Sequence, residues 1–175
     1  MSATPDLYYV PYQAFLADLE DIAAKVETDE AWKPDFLVGV GRGGLVPAAY
    51  LSHRTGITLL SVDHSSGDDA FADELLEKLA AKSRDGANIL IVDDINDSGS
   101  TITYLRRTLT EHGCSEPHIR VAVLINNIRS AARVEYYGTS LDRSGDKRWF
   151  VFPWEAVAPV ATLIGEAEEM PERLA

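Results

Sequence analysis

Four short, predominantly apolar runs, at residues 36–40, 57–62, 88–92 and 119–126, limit what this chain can become. A strand with one face in water alternates apolar and polar residues. A strand covered on both faces does not, so runs like these belong to a mainly parallel sheet. Parallel strands need long crossover connections, and patterns of helical period stand between the runs. Residues 12–26 carry Phe15, Leu19, Ile22 and Val26 on one stripe, with Leu16 and Ala23 widening it. Residues 45–54 place Leu45, Ala48 and Ala49 on one face, with Pro47 tolerable if it falls in the first turn. Further helices are expected over 70–81 and from about 100 to 112. The expectation is an α/β fold, a mainly parallel sheet flanked by helices on both faces, built as a single domain over 1–175. The segment from Val134 to Glu155, short-stepped and aromatic, reads as hairpin-like, and a small hood is expected from about 128–160. The acidic stretch from Gly165 to the end reads as a frayed terminus.

Composition narrows the partners. A formal net charge of -12 leaves no basic patch for phosphate backbones or anionic membranes, so any phosphate must be held locally. No segment approaches membrane-spanning length and the N-terminus has no secretory pattern, which makes a cytoplasmic protein the expectation. One cysteine, Cys114, excludes an intramolecular disulfide. His53, His64, His112 and His118 show no metal-ligand spacing.

Two clusters remain, each after a predicted strand. Gly39-Val40-Gly41-Arg42-Gly43-Gly44 satisfies the dinucleotide pattern, with Asp63 about twenty residues on, so a nicotinamide or flavin oxidoreductase is a rival reading. A helix placed before this strand counts against it, and the reading leaves the second cluster unexplained. Exposed amides plus one guanidinium, Arg42, suit a diphosphate instead.

The second cluster, Ile89-Leu-Ile-Val-Asp93-Asp94-Ile-Asn-Asp97-Ser98-Gly99-Ser100-Thr101, sets three carboxylates beside an anion-binding loop. Ionised Asp at the end of a buried strand must regain its lost hydration from a cation or from hydroxyl donors. A P-loop is excluded because the Gly-Lys-Ser/Thr ending is missing. A sugar phosphate reconciles the two halves. Its vicinal diol donates to Asp93 and Asp94, and its 5'-phosphate accepts from Ser98 to Thr101 at a helix N-terminus.

At this point the sequence resembles the type I phosphoribosyltransferases, whose signature of apolar strand, two acids, two variable residues, a third acid and a small-residue loop is matched throughout 89–101. The glycine cluster with the helix after it, and Arg148-Trp149-Phe150-Val151-Phe152-Pro153-Trp154-Glu155, are similar to the xanthine-guanine branch of the purine enzymes. The resemblance runs from about Tyr8 to Glu155. It implies Mg²⁺-dependent transfer of 5-phosphoribosyl from phosphoribosyl diphosphate to a purine-like base in purine salvage, and by family habit a homodimer. It further implies that Gly41, Arg42, Gly43 and Gly44 contact the diphosphate, that Asp93 and Asp94 hold the ribose hydroxyls with Asp94 near Mg²⁺, and that Ser98, Gly99, Ser100 and Thr101 cradle the 5'-phosphate. Asp97 would manage the proton at the base N7. Trp149 would stack on the base and Phe150 would offer backbone contacts, while Trp154 reads as a core aromatic.

Two departures stand out. Where oxopurine enzymes carry a lysine after the fourth strand, this chain has Leu124-Ile125-Asn126-Asn127. The Asn127 amide donates to a 6-oxo group in one orientation and accepts from a 6-amino group in the other, so the base stays open. The loop after the second strand reads Ser65-Ser66-Gly67 where an aromatic lid residue is usual. A non-catalytic nucleotide sensor on the same fold is therefore a second reading.

Overall fold

The computed structural model describes residues 4–62 and 69–170; Asp63 and the Ser65, Ser66, Gly67 segment lie outside them. In chain order the elements are β1 (Leu7–Tyr9), α1 (Tyr12–Thr28), β2 (Phe36–Val40), α2 (Gly41–Thr55), β3 (Thr58–Val62), α3 (Asp69–Arg84), β4 (Ile89–Asn96), α4 (Ser100–Glu111), β5 (Ile119–Asn127), β6 (Tyr136–Leu141), β7 (Trp149–Val151) and α5 (Val160–Glu168). Five strands form one sheet in the order β3-β2-β4-β5-β6, parallel at every pairing.

The apolar runs serve two cores because successive side chains leave a strand on opposite faces. Leu90 and Val92 of β4 with Ala122 and Leu124 of β5 pack under α1 and α2, against Phe15, Leu19, Ile22 and Leu51. The alternate residues Ile89, Ile91, Val121 and Val123 pack under α3 and α4, against Leu76, Leu79, Leu105 and Leu109. Doubly covered strands, inferred from unbroken apolar runs, are thus what the fold contains. Among the described residues no helix is long and apolar enough to cross a membrane.

Four local expectations are corrected. The aromatic segment forms no hairpin: β6 is the edge strand of the main sheet, parallel to β5, and β7 pairs in parallel with β1, Leu7 opposite Trp149 and Tyr9 opposite Val151. The connection 128–135 makes this feasible by running back along α4. It is pinned by Ala131 N–H to the Ser98 carbonyl (3.1 Å), Asn96 Nδ2 to the Ala132 carbonyl (2.9 Å) and Glu135 N–H to the Val121 carbonyl (3.0 Å).

Helix α2 starts at Gly41 rather than at residue 45, which puts Pro47 in its second turn and deprives the Gly43 carbonyl of an intrahelical N–H partner. The glycines permit this by contact: a β-carbon on Gly44 would lie 2.2 Å from the Val92 carbonyl oxygen. Strand β4 continues through Asn96, because β5 pairs with it as far as Asn126. Finally, residues 165–168 of the acidic stretch belong to α5, anchored by buried Leu163 and Ala167, rather than to a frayed end, while residues 171–175 lie outside the described residues.

Candidate active site

The glycine run 41–44 and the run 93–101 meet at the C-terminal edge of the parallel sheet, where ligands of open α/β sheets bind. Strand β2 delivers Gly41 to Gly44 and β4 delivers Asp93 to Asp97 as its direct neighbour. The two clusters interlock. A β-carbon on Gly43 would meet Asp94 Oδ2 at 2.3 Å, so the Asp94 carboxylate lies against the first turn of α2. Asp93 Oδ1 accepts from the Asp94 N–H at 3.0 Å and Asp94 Oδ1 from the Ile95 N–H at 2.6 Å, contacts that fix both carboxylates on the strand end.

On the other side stands the start of α4. Gly99 caps it with φ of 87°, and a β-carbon there would meet the Ala132 nitrogen at 2.6 Å, so the turn needs glycine for both conformation and space. The cap residue Gly99 has no side chain to offer, the Ser98 hydroxyl accepts from the Ser100 N–H at 3.3 Å, and the first turn carries no acid. Its leading amides therefore face a concavity lined by Asp97, Ser98, Gly99, Ser100 and Thr101, with the Ser98 and Ser100 hydroxyls 3.0 Å apart. Amides at the positive end of a helix beside two hydroxyls are groups that suit an anion.

Two cavities adjoin the carboxylates. One, of about 380 Å³, is lined by Gly41, Arg42, Gly43, Asp93, Asp94, Thr101 and Glu155 among others. The other, of about 170 Å³, lies between Asp93, Asp94, Thr101, Arg143, Glu155 and the aromatic wall of Trp149, Phe150 and Phe152. Strand β7 brings that wall in, tied to the N-terminus by Trp149 N–H to the Asp6 carbonyl (2.8 Å). The Phe150 ring packs edge-on against Tyr8 at 5.5 Å. Trp154 stacks on Phe152 at 4.9 Å and meets Phe15 edge-on, so it packs partly buried against the core as expected, and it also lines the larger cavity.

Glu155 and Arg143 were not singled out in the sequence as site residues. Glu155 borders both cavities and accepts from the Phe152 N–H at 2.8 Å. Burial raises its pKa to about 7; the Phe152 hydrogen bond opposes the shift, Asp94 and Glu166 add to it by repulsion, and Arg42 opposes it. The motif ending Pro-Trp-Glu was its only signal. Arg143 is 8% exposed and forms a bidentate pair with Asp97, itself 5% exposed: Nε lies 3.1 Å from Oδ1 and 3.2 Å from Oδ2, and Nη2 lies 2.7 Å from Oδ2. Nothing in Asp142-Arg-Ser-Gly-Asp-Lys-Arg148 distinguishes this arginine from a solvated turn residue.

Asn127 is buried behind the pair. Its Nδ2 donates to the Asp97 carbonyl (3.0 Å) and approaches Asp97 Oδ1 (3.5 Å), and its Oδ1 accepts from the Arg129 and Arg143 N–H groups. Both faces of the amide are engaged in joining two loops.

Among the described residues no three His, Cys, Asp or Glu side chains are grouped as a self-contained metal site. The carboxylates of Asp93, Asp94 and Glu155 nonetheless offer hard oxygens around one cavity. Such a set fits Mg²⁺, which binds through one or two carboxylates together with substrate phosphates.

This geometry has relatives. The phosphoribosyl transferase domain family matches residues 9–158. The purine phosphoribosyltransferase of Pyrococcus horikoshii is similar at 25% identity, with 88% of this chain and 97% of that one covered and a TM-score of 0.63. A xanthine-guanine-hypoxanthine phosphoribosyltransferase of Helicobacter pylori shares 21% identity over 85% of this chain and 92% of its own, at a TM-score of 0.62. A Neisseria gonorrhoeae protein solved with bound ppGpp shares 21% identity over 98% of both chains, at a TM-score of 0.63. The parallel sheet flanked by helices agrees with the family match: the chain belongs to the phosphoribosyl transferase domain family and is a phosphoribosyltransferase.

Proposed function

We propose that this protein transfers 5-phosphoribosyl from phosphoribosyl diphosphate to a ring nitrogen of a purine-like base, with Mg²⁺, releasing diphosphate. The observation that carries the reading is the order of groups along one sheet edge. Asp93 and Asp94 stand between the start of α4 and the glycine turn with Arg42, and the Trp149 wall lies beside them. A ribose between the carboxylates then has its 5'-phosphate on Ser98 to Thr101, its diphosphate on Gly41 to Gly44 and its C1' toward the aromatic cavity.

As the bond from C1' to the diphosphate breaks, positive charge grows on the sugar and negative charge on the leaving group. Asp93 and Asp94 stabilise the first, and Arg42 with the α2 amides the second, so fixed charges match the transition state. Mg²⁺, held by Asp94 with Asp93 or Glu155, would add Lewis-acid neutralisation of the diphosphate. Asp97 accepts the proton displaced from the base, a role worth roughly 10²- to 10⁴-fold in rate. Trp149 covers the base plane and Phe150 offers its backbone. The relatives named for purine activity support a purine as acceptor.

The test is diphosphate release from phosphoribosyl diphosphate and Mg²⁺ with guanine, xanthine, hypoxanthine, adenine, uracil and orotate in parallel. Release with at least one purine is expected. Activity with a pyrimidine alone would overturn the purine assignment. Nucleotide binding without release on any base would favour the sensor reading. A homodimer belongs to the same proposal, checked by light scattering.

A further inference from the structure

The carboxylate-guanidinium pair of Asp97 and Arg143 is the one buried ion pair among the described residues that borders the site, with side-chain exposures of 4% and 10%. Burying such a pair costs hydration that surface charges keep, and its arginine has no place in the reaction set out above. An arginine has five N–H donors. Here Nε is given to Asp97, Nη1 to the carbonyls of Asp146 (3.3 Å) and Arg148 (2.6 Å), and Nη2 once to Asp97. Four donors are spent on holding the guanidinium rigid, and one Nη2 proton is left. The guanidinium carbon also lies 5.3 Å from the Phe150 ring centroid, which fixes it against the aromatic wall.

Position makes that last donor useful. Arg143 lines the cavity between Trp149 and the carboxylates, while Asp97 lines the adjoining concavity of the phosphate loop; Asp93, Ile95 and Thr101 border both. A flat heterocycle in the aromatic cavity thus has the Arg143 guanidinium on its wall, with Asp97 in the concavity next to it. Asn127 has no such offer to make, because its amide is engaged on both faces.

We infer that Arg143 is the specificity-determining residue for the base: its remaining N–H selects a purine bearing a carbonyl acceptor at C6 and rejects one bearing an amino group there. A 6-oxo group accepts from the guanidinium. A 6-amino group sets donor against donor, which leaves the guanidinium N–H without an acceptor. A guanidinium is well suited to the edge formed by O6 and N7, both acceptors in an N9-substituted oxopurine. The inference rests on the proposed reaction for the identity of the site, and it adds the residue that chooses the base.

The experiment is calorimetric binding of inosine 5'-monophosphate and adenosine 5'-monophosphate to the full chain, run beside the diphosphate-release assay. The two ligands share ribose and phosphate, so their affinity ratio isolates the C6 substituent. The wild-type protein is expected to prefer the 6-oxo nucleotide by about 10- to 100-fold, the size of one hydrogen bond to a charged donor. Arg143→Gln, whose amide can present either a donor or an acceptor, is expected to bring the ratio near one while both nucleotides still bind through sugar and phosphate. If that variant does not fold, Asp97→Asn/Arg143→Met against Asp97→Asn alone takes its place, since the double change leaves no unpaired buried charge. The same loss of preference, confined to the double variant, is expected. A wild-type ratio near one, or a ratio untouched by loss of Arg143, overturns the inference while diphosphate release upholds the proposed reaction. Failure to bind either nucleotide, with no release on any base, overturns both.

Discussion

Gly43 and Asp94 occupy each other's space: a single added carbon on the glycine would stand 2.3 Å from a carboxylate oxygen of the aspartate. The start of α2 and the end of β4 are thereby one surface. Gly43→Ala is expected to displace Asp94 and raise the KM for phosphoribosyl diphosphate by tenfold or more, as roughly 1–3 kcal/mol of overpacking is relieved by moving the carboxylate proposed to hold the ribose. Thermal stability should change little, because the obstacle is a side chain. Initial-rate kinetics and a melting curve check both; an unchanged KM would refute the coupling.

Gly99 differs in meeting backbone. With φ of 87° and the Ala132 nitrogen 2.6 Å from a β-carbon, Gly99→Ala combines left-handed strain with a collision that no rotamer relieves. A loss of about 2–4 kcal/mol is expected, or roughly 5–15 °C in Tm for a chain of this size. Gly56 is the control, also left-handed at φ of 75° but open on all sides. Gly56→Ala should cost only about 1 kcal/mol. Equal losses at the two sites would show that contact with the 130–132 segment contributes nothing.

Asp97→Asn should damage both turnover and stability. Turnover falls by about 10²-fold or more if the carboxylate takes the base proton, with phosphoribosyl diphosphate binding largely kept. Separately, removing one member of a buried pair strands Arg143, which costs about 3–5 kcal/mol. Chemical denaturation should show that Asp97→Asn/Arg143→Met recovers much of the stability and none of the turnover. Recovery of turnover in the double variant would assign Asp97 a purely structural role.

Glu155 supplies a pH signature. Its pKa is raised to about 7 from an ordinary 4.5, so between those values the folded protein binds more protons than the unfolded one. The favourable contribution is whole below pH 4.5 and is lost as pH rises through 7, by about 3 kcal/mol at most. Melting temperature in the absence of divalent cations should therefore decline from pH 5 to pH 7.5. Glu155→Gln should flatten that part of the curve; an unaltered slope in the variant would point to another group.

Much of this was readable from residue order alone. Apolar runs without alternation determined a doubly covered parallel sheet, because the side-chain period of a strand is two and both faces had to be apolar, as Leu90 and Ile91 are. The local signature from Asp93 to Thr101 carried the sugar-phosphate reading, since its carboxylates and small residues are neighbours in the chain as well as in space. Tertiary structure decided what depends on distant segments meeting. It took Tyr136–Leu141 out of a hairpin and into the main sheet, and paired Trp149 with Leu7 across the length of the chain. It turned the glycine run into the first turn of a helix, because close approach to β4 is a contact that composition does not record. And it buried Arg143 against Asp97, forty-six residues apart. A charged turn is written like any solvated one, and only the packing around it determines whether its charge faces water or a partner.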